Sequence, residues 1–454
     1  MGSLSRNFRF LSLVAVLAAA GAALCVWLVG PEQRAMAEQL AGFPDSDPFA
    51  HGLRPWVLAG LCFLPMLAGV AYACAGTMCR YVVRQFLGIF AISLAALFSI
   101  WLLMDLSDNI GDFRQSASLL RTMAVFYASR APAILVLLLP YSLLLALLYS
   151  MGKLSTHREI VAMIQSGRGV IGITLPLILA GLFCTLFSLG LNFHWAPVAE
   201  GTVDDLLDRA TGKQPAEARQ VLYLNADARR LWMVGMFPPH YEAGAPLKNI
   251  EVTTTDDAGF LRERLSAASA VWNPKTHLWS FESAVLARFK AGEPPRFEED
   301  PAAFSNVAWP ETPLQLIKPG LNAAFLGMPD LQTWFASHRR NHSSADPAPY
   351  RTQWHYRWAL PFTCLVTVLL ATPLAIHFAR RAPAGGVFFA VLLSALLMLI
   401  SSISLALGEA GLVPPMLAAW FPNILFALIG LYLYRRRITG RPIYQILARV
   451  LPGN

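Results

Sequence analysis

Long apolar stretches separated by short charged connections occupy both ends of the chain, and a polar stretch occupies the middle. A helix needs about 20 mostly apolar residues to cross the hydrocarbon core of a bilayer. Eight stretches meet this requirement, and we predict a membrane-spanning helix in each: Phe10–Gly30, Pro55–Cys79, Gln85–Met104, Ala131–Gly152, Gly169–Val198, Trp358–Ala379, Ala382–Gly408 and Leu412–Tyr434. The first stretch is long for a signal peptide and lacks a small-residue cleavage site, so we expect it to be retained.

The polar region 196–350 predicts a separate β domain. Short β-prone runs alternate with turn signals such as Asp256-Asp257-Ala258-Gly259, a pattern typical of a sandwich or jelly roll. The predicted strands are Gln220–Leu224, Arg230–Met236, Lys248–Thr255, Arg262–Trp272 and His277–Phe289. A short helix is expected around Leu331, Trp334 and Phe335.

The apolar positions of these strands allow two interpretations. They either form a closed core, which is the commoner case, or they line an open groove for acyl chains. The positions concerned are Ile250, Val252, Leu265, Val271 and Leu278.

Composition excludes several classes of protein. Apolar residues make up 56% of the chain and charged residues only 14%, with a mean hydropathy of +0.48. Soluble domains carry about 25% charged residues. The chain is therefore not a soluble enzyme, a disordered scaffold or a nucleic-acid-binding domain.

The net charge of +8 follows the predicted topology. With the N-terminus in the cytoplasm, the inner segments hold fourteen Lys and Arg residues against one acid, Glu159. Region 196–350 holds fifteen Lys and Arg against nineteen Asp and Glu. Because cytoplasmic loops of membrane proteins are enriched in Lys and Arg, both termini are expected in the cytoplasm and the β domain outside.

No catalytic motif is present in the sequence. There is no P-loop, no H-E-x-x-H and no G-x-S-x-G, and the six cysteines all lie in apolar stretches. His338 and His342 are interpreted as part of a solvated linker, with metal binding a poor second. We expect no cofactor and no metal. Because the sequence has no motif for ATP hydrolysis, the energy for uphill transport would have to come from a gradient or from another subunit. The predicted spans hold almost no ionisable groups, which argues against coupling to a gradient.

The connection between the fourth and fifth spans predicts a short amphipathic helix. Ser155 or Thr156 is a plausible N-cap, with Glu159 in the capping-box position. Ile160, Met163 and Ile164 form an apolar stripe at helical spacing, and Gly167 ends the helix. Such a helix is either a connector on the membrane surface or a coupling helix that docks into a groove of a cytoplasmic motor.

The order of these features resembles a known family over about residues 80–444. The resemblance rests on Arg80-Tyr81-Val82-Val83-Arg84-Gln85-Phe86, Leu138-Leu139-Pro140-Tyr141, the helix ending at Gly167, Asn192-Phe193-His194-Trp195-Ala196-Pro197, Arg357-Trp358-Ala359-Leu360-Pro361-Phe362 and Thr372-Pro373-Leu374-Ala375-Ile376. The sequence is similar to the LptF/LptG permeases, which extract lipopolysaccharide from the inner membrane of Gram-negative bacteria.

Together, the eight apolar stretches and the resemblance predict an α-helical polytopic membrane protein of about eight transmembrane helices with an inserted periplasmic β-jelly-roll-like domain. The resemblance also implies four partners: a second LptF/LptG-type permease, a cytoplasmic ABC ATPase dimer, a periplasmic β-jelly-roll bridge protein and lipopolysaccharide. The protein itself would be a non-catalytic transport subunit in the inner membrane. Spans Gln85–Met104 and Ala382–Gly408 would line a lateral gate.

Family roles transfer to two groups of residues. The coupling helix becomes 155–167, with Arg158, Glu159, Ile160, Met163 and Gly167 as the residues expected to couple to the ATPase. Arg114 and Arg357 are the candidates for contact with the lipid phosphates, although each also fits a simple interfacial anchor. The family places basic residues near the outer end of its first span, whereas this chain has Asp105, Asp108 and Asp112 there.

Four segments result from this reading: an additional transmembrane hairpin at 1–79, transmembrane helices at 80–195, the β domain and its exit linker at 196–350, and three further helices with a tail at 351–454. The hairpin lies outside the family pattern and is either an anchor packed on the six-span core or a substitute for a regulatory single-span partner.

Two alternatives remain for the whole protein: a membrane scaffold whose β domain binds a partner without transport, and an exporter of another lipid or a lipoprotein.

Overall fold

The computed structural model describes residues 2–42, 47–114, 119–201, 218–225, 228–238, 241, 244–256, 259–273, 275–290, 293–299, 304–317, 321–341, 347–376 and 384–439. Within these ranges, one group of helices precedes a β sheet along the chain and a second group follows it. The helices are α1 (Gly2–Gly42), α2 (Pro48–Gly52), α3 (Arg54–Cys74), α4 (Thr77–Arg114), α5 (Leu119–Thr156), α6 (Glu159–Gln165), α7 (Val170–Phe193), α8 (Pro313–Ile317), α9 (Met328–Asn341), α10 (Ala348–Ala359), α11 (Phe362–Ala375), α12 (Ala384–Glu409) and α13 (Pro415–Ile438).

Seven described helices are long and apolar enough to cross a membrane, or eight if one bent pair counts as a span. The bent pair is α10 and α11, which meet at 49°. We predicted one span from Trp358 to Ala379, but α10 ends at Ala359 and α11 begins at Phe362. Pro361 lacks an N–H donor and its ring clashes with the preceding turn, which explains the break. Residues 377–379 lie outside the described residues.

Helix α5 lies at the centre of the helical bundle. Its side chains Leu143, Leu147 and Met151 are fully buried and share one apolar cluster with Cys364 and Val368 of α11. Helices α4 and α7 also pack against α5. The two long helices α4 and α5 have 38 residues each. At 1.5 Å per residue each is about 57 Å long, so both extend well beyond a bilayer core of about 30 Å.

The N-terminal hairpin consists of α1 and α3, which pack along each other, and α3 also packs on α7. Glycines allow these close contacts. A Cβ added at Gly190 of α7 would lie only 2.4 Å from Leu61 Cδ2 of α3. Arg54, the first residue of α3, joins the two helices of the hairpin near their connection. It forms an ion pair of 2.6 Å with Glu32 and a hydrogen bond to Gln39, both in the last part of α1.

The β domain is an antiparallel sheet. Its strands are β1 (Ala218–Asn225), β2 (Arg230–Phe237), β3 (Leu247–Thr255), β4 (Leu261–Asn273), β5 (Leu278–Glu282), β6 (Val285–Arg288) and β7 (Arg296–Glu298). They follow the order β1-β2-β3-β4-β6-β7, and β5 pairs with the second half of β4. The predicted strands are confirmed, except that His277–Phe289 is two strands separated at Ser283, whose φ is 52°. Strand β7 was not predicted.

The interior of the β domain is closed and aromatic. Trp232 and Trp279 are fully buried, with ring centres 5.3 Å apart. Phe304, Leu316 and Ile317 belong to the same cluster as the sheet residues, so the segment after β7 covers the inner face of the sheet. Of the positions considered for an acyl groove, Ile250, Val252 and Leu265 are buried in this cluster and Val271 and Leu278 are half-buried. These described residues favour the closed core.

Candidate coupling and lipid-facing sites

The segment predicted as a coupling helix at 155–167 begins differently from the prediction. Helix α5 continues through Thr156, and the Thr156 hydroxyl donates to the Gly152 carbonyl instead of capping a new helix. The chain reverses at Arg158, which has a left-handed backbone with φ 57°, and α6 starts at Glu159. The predicted capping box is therefore wrong. Leu154 and Ser155 are buried in the bundle, and this burial extends the preceding helix past the predicted cap.

The apolar stripe of α6 faces the protein and not a lipid surface. Ile160 is 1% exposed and Met163 is 7% exposed, and both belong to the cluster that contains Val82 and Phe86 of α4. Ile164 packs at the edge of the same cluster. The stripe therefore packs α6 into the bundle, where its main neighbours are α5 and α7.

Polar groups of α6 remain at the surface. Glu159 accepts a hydrogen bond of 2.7 Å from the Tyr81 hydroxyl of α4, and Arg158 is exposed. Gly167 has φ +88°, and its N–H donates to the Ile164 carbonyl, so the helix ends where the sequence predicted. The contact with Tyr81 was not predicted, because no local pattern links residues 78 positions apart.

A shallow open groove lies between α6 and the first turns of α4 and α7. It is lined mainly by apolar side chains with one arginine: Met78, Cys79, Val82, Met163, Arg168, Gly172 and Ile173. The groove and the exposed end of α6 together present one surface at this end of the bundle.

At the opposite end of α4 and α5, a charged pair marks the limit of the apolar segments. Asp105 pairs with Arg130, and these residues directly follow Met104 and precede Ala131, the predicted ends of two spans. The Arg130 guanidinium lies 4.9 Å from the centre of the Trp101 ring and 5.7 Å from that of Phe126. Aromatic and basic side chains of this kind concentrate at membrane–water interfaces.

The ion pair between Asp105 and Arg130 bears on the acidic residues that the sequence places near this end of α4. Asp105 is only 12% exposed at its side chain, and its charge is balanced by Arg130. It therefore does not stand as a free negative charge against a lipid phosphate. Sequence reasoning missed Arg130 because its partner is 25 positions away on another helix.

The two arginines predicted to contact phosphate lie in different surroundings. Arg114 is exposed in the last turn of α4. Arg357 is 6% exposed, and its guanidinium donates to the Ala324 carbonyl while Asn192 of α7 donates to the Arg357 carbonyl over 2.7 Å. The structure thus does not bring the two side chains together in one exposed site.

The histidine pair at 338 and 342 gives no further information. His338 lies on α9, but its side chain and residue 342 lie outside the described residues. The predicted helix around Leu331, Trp334 and Phe335 is confirmed as α9.

These features define an integral membrane protein of seven or eight spans with a β domain inserted between two groups of helices and a short surface helix joining two spans. A family model described as lipopolysaccharide export system permease LptF/LptG matches residues 80–436. The chain belongs to this family of inner-membrane permeases, whose members are transport components of a membrane complex. The match begins after the N-terminal hairpin, which agrees with the resemblance stated above. No curated protein sequence matches the chain significantly.

Proposed function

We propose that this protein is the permease subunit of an ATP-driven exporter that extracts lipopolysaccharide from the inner membrane and passes it to a periplasmic bridge protein. A second permease of the same type would complete the transmembrane cavity, and a cytoplasmic ABC ATPase dimer would supply the energy. Both chain termini would then be cytoplasmic and the β domain periplasmic, as the charge distribution predicts.

The observation that carries the proposal is the attachment of α6 to the helical bundle. Ile160 and Met163 are buried in the apolar cluster of the bundle, α6 packs against α5 and α7, and the Tyr81 hydroxyl of α4 donates to Glu159. Packed interiors are stiff, so a force applied to α6 is transmitted to the bundle, which includes α4, instead of being absorbed by a loose loop.

Helix α4 is the proposed link between the ATPase and the lipid. It contains the span Gln85–Met104, which together with α12 corresponds to the lateral gate of the family. When the ATPase dimer closes, movement of α6 would displace α4 and narrow the cavity. Acyl chains need only an apolar cavity, which can expel them by shrinking and needs no specific polar contacts.

For the lipid phosphates, we propose Arg114 as the contact on this chain. Its side chain is exposed, and one of the three acids at this end of α4, Asp105, is paired with Arg130. The burial of Arg357 supports a different task for that residue, which is to hold α10 against α7 and the short 3-10 helix Ala323–Phe325.

Glu159 provides the sharpest test of coupling, because its charge and its hydrogen bond can be removed separately. Glu159→Gln keeps an acceptor for Tyr81 but loses the charge, while Tyr81→Phe loses the hydrogen bond and keeps the charge. If Glu159 meets basic residues of the ATPase, Glu159→Gln is expected to reduce lipopolysaccharide release per ATP about tenfold, since charged hydrogen bonds contribute about 1.5–3 kcal/mol. Glu159→Lys is expected to stop export while the protein still inserts into the membrane.

The measurement is lipid release and ATP hydrolysis by the complex reconstituted in proteoliposomes. Glu293→Lys, which reverses an exposed acid of the β domain, serves as the charge control and is expected to leave ATP hydrolysis by the complex unchanged. Normal export by Glu159→Lys would contradict the coupling role. Failure of any ATPase to bind the wild-type protein would instead favour the membrane scaffold.

A further inference from the structure

The N-terminal hairpin lies outside the family match, yet its turn contacts the family part of the chain through buried polar groups. His51 of α2 is fully buried, and its Nε2 lies 3.0 Å from Oγ1 of Thr333 on α9. The Asp47 N–H donates to the same hydroxyl oxygen over 3.2 Å. Two groups of the hairpin thus converge on one side chain of α9.

A carboxylate of α9 extends this contact to a third element. The Asp330 Oδ1 lies 4.0 Å from His51 Nε2, and its Oδ2 lies 3.4 Å from His194 Nδ1 at the end of α7. Asp47 also caps α2, because its side chain accepts from the Phe49 and Ala50 N–H groups. Asp47 therefore both fixes the start of α2 through its side chain and contacts α9 through its backbone N–H.

Helix α9 connects the β domain to the membrane helices that follow it. It follows the β domain in the chain and leads to α10, and Trp334 of α9 stacks on Tyr350 of α10 with ring centres 3.8 Å apart. A restraint on Thr333 therefore acts next to the residue that joins α9 to the helix pair α10 and α11.

We propose that residues 47–54 of the hairpin are a docking site for α9, and that this joint holds the connection between the β domain and the membrane helices in a fixed position. The hairpin is then an intramolecular partner of the permease, in addition to any role as a membrane anchor. The recognition chemistry is a buried imidazole and a backbone N–H on one side, with a hydroxyl and a carboxylate on the other. Such buried groups are costly to leave unpaired, so the joint resists opening.

Hydrogen–deuterium exchange on the purified full chain in detergent tests this joint. Thr333→Val keeps the shape of the side chain and removes the hydroxyl that both hairpin groups contact. We expect amide exchange to rise about tenfold in α9 and also in α2, although α2 is not mutated, because two docked elements stabilise each other reciprocally.

Two further variants control for general loss of stability. Thr185→Val removes another buried hydroxyl, which donates to the Gly181 carbonyl of its own helix, and is expected to leave α2 and α9 unchanged. Thr333→Ser keeps the hydroxyl and is expected to exchange like the wild type. If Thr333→Val does not fold, His51→Phe removes the same contact from the hairpin side and is expected to raise exchange in α9.

An unchanged α2 in Thr333→Val, or an equal rise in Thr185→Val, would overturn the proposal. The outcome does not depend on transport, because neither the ATPase nor the lipid takes part in the measurement. Failure of the joint and failure of the export function are therefore separate results.

Discussion

At the scale of single residues, three charged groups that lie largely buried next to the membrane helices are paired. Asp105 meets Arg130, Glu32 meets Arg54, and Asp330 lies beside His194. A buried charge without a partner costs several kcal/mol, so each pair allows an ionised group where the chain would otherwise need an apolar one. The pairs join different elements, which makes each of them a specific contact between helices.

Asp330 makes the stability of the joint depend on pH. Burial opposes its ionisation, but the hydrogen bond from His194 and the charges of His194, His51 and Arg54 outweigh it and lower the pKa of Asp330 to about 2 from 3.8. A lowered carboxylate pKa adds stability above the unfolded pKa, and that stability is lost as the pH falls from about 4 towards 2. The contribution is on the order of 2 kcal/mol.

Thermal unfolding of the full chain in detergent would measure this contribution. Asp330→Asn is expected to lower the melting temperature at pH 7, while at pH 3 and below the difference from the wild type shrinks. Glu293→Gln, which neutralises an exposed acid of the β domain, should melt like the wild type at both pH values. A difference that stays constant from pH 7 to pH 3 would mean that the charge of Asp330 does not stabilise the fold.

At the scale of elements, packing decides which helices move together. Helix α6 packs against α5 and α7 and buries Ile160 and Met163, while α3 packs against α7 at the close approach of Gly190. Helix α7 therefore contacts both segments: the groove beside α6 includes Gly172 and Ile173 near its start, whereas Gly190 lies near its end. The hairpin and the coupling segment are attached to opposite ends of one helix.

Gly190→Ala tests the contact between α3 and α7. The added Cβ would lie 2.4 Å from Leu61 Cδ2 and 2.6 Å from Leu61 Cγ, so the helices must separate or the leucine must change rotamer. We expect a loss of about 1–3 kcal/mol, despite the higher helix propensity of alanine. Gly172→Ala on the same helix meets nothing within 4 Å and is the matched control.

Melting temperatures of the two variants in detergent give the comparison. Gly172→Ala is expected to match or exceed the wild type, and Gly190→Ala to melt lower. Equal melting temperatures would show that the hairpin does not pack tightly on α7 in the membrane protein as purified.

At the scale of the whole molecule, the family match covers the permease part and leaves the hairpin as an addition. In the part of the β domain that the structure describes, Trp232 and Trp279 fill the interior space that an acyl groove would need. Under the proposed export function, lipid would therefore pass along the outer surface or the edges of this domain.

Affinity purification in mild detergent, followed by mass spectrometry of proteins and lipids, addresses the assembly. We expect an ABC-type ATPase, a second LptF/LptG-type permease and lipopolysaccharide to be retained, because the proposed coupling and gate surfaces need these partners. Recovery of an ATPase together with a different lipid would support ATP-driven export but show that the exported lipid is not lipopolysaccharide. A lone protein with bulk phospholipid, even after cross-linking, would contradict the exporter and favour the scaffold.

Periodicity and length alone were enough to predict the membrane helices and most of the strands, and the order of short motifs along the chain identified the family. These features depend on local chemistry, because a bilayer requires about 20 apolar residues in sequence and a strand requires alternation in sequence. The apolar stripe of α6 and its end at Gly167 were predicted for the same reason.

Only the tertiary structure decided the start of α6, the pairing of Asp105 with Arg130, the burial of Arg357 and the joint at His51. Ser155 and Thr156 have the local chemistry of a helix cap, but burial of Leu154 and Ser155 in the bundle extends α5 past them. His51 and Thr333 are 282 positions apart, so no local pattern could connect them. Contacts of this kind depend on which surfaces meet after folding, and short-range sequence patterns carry no information about that.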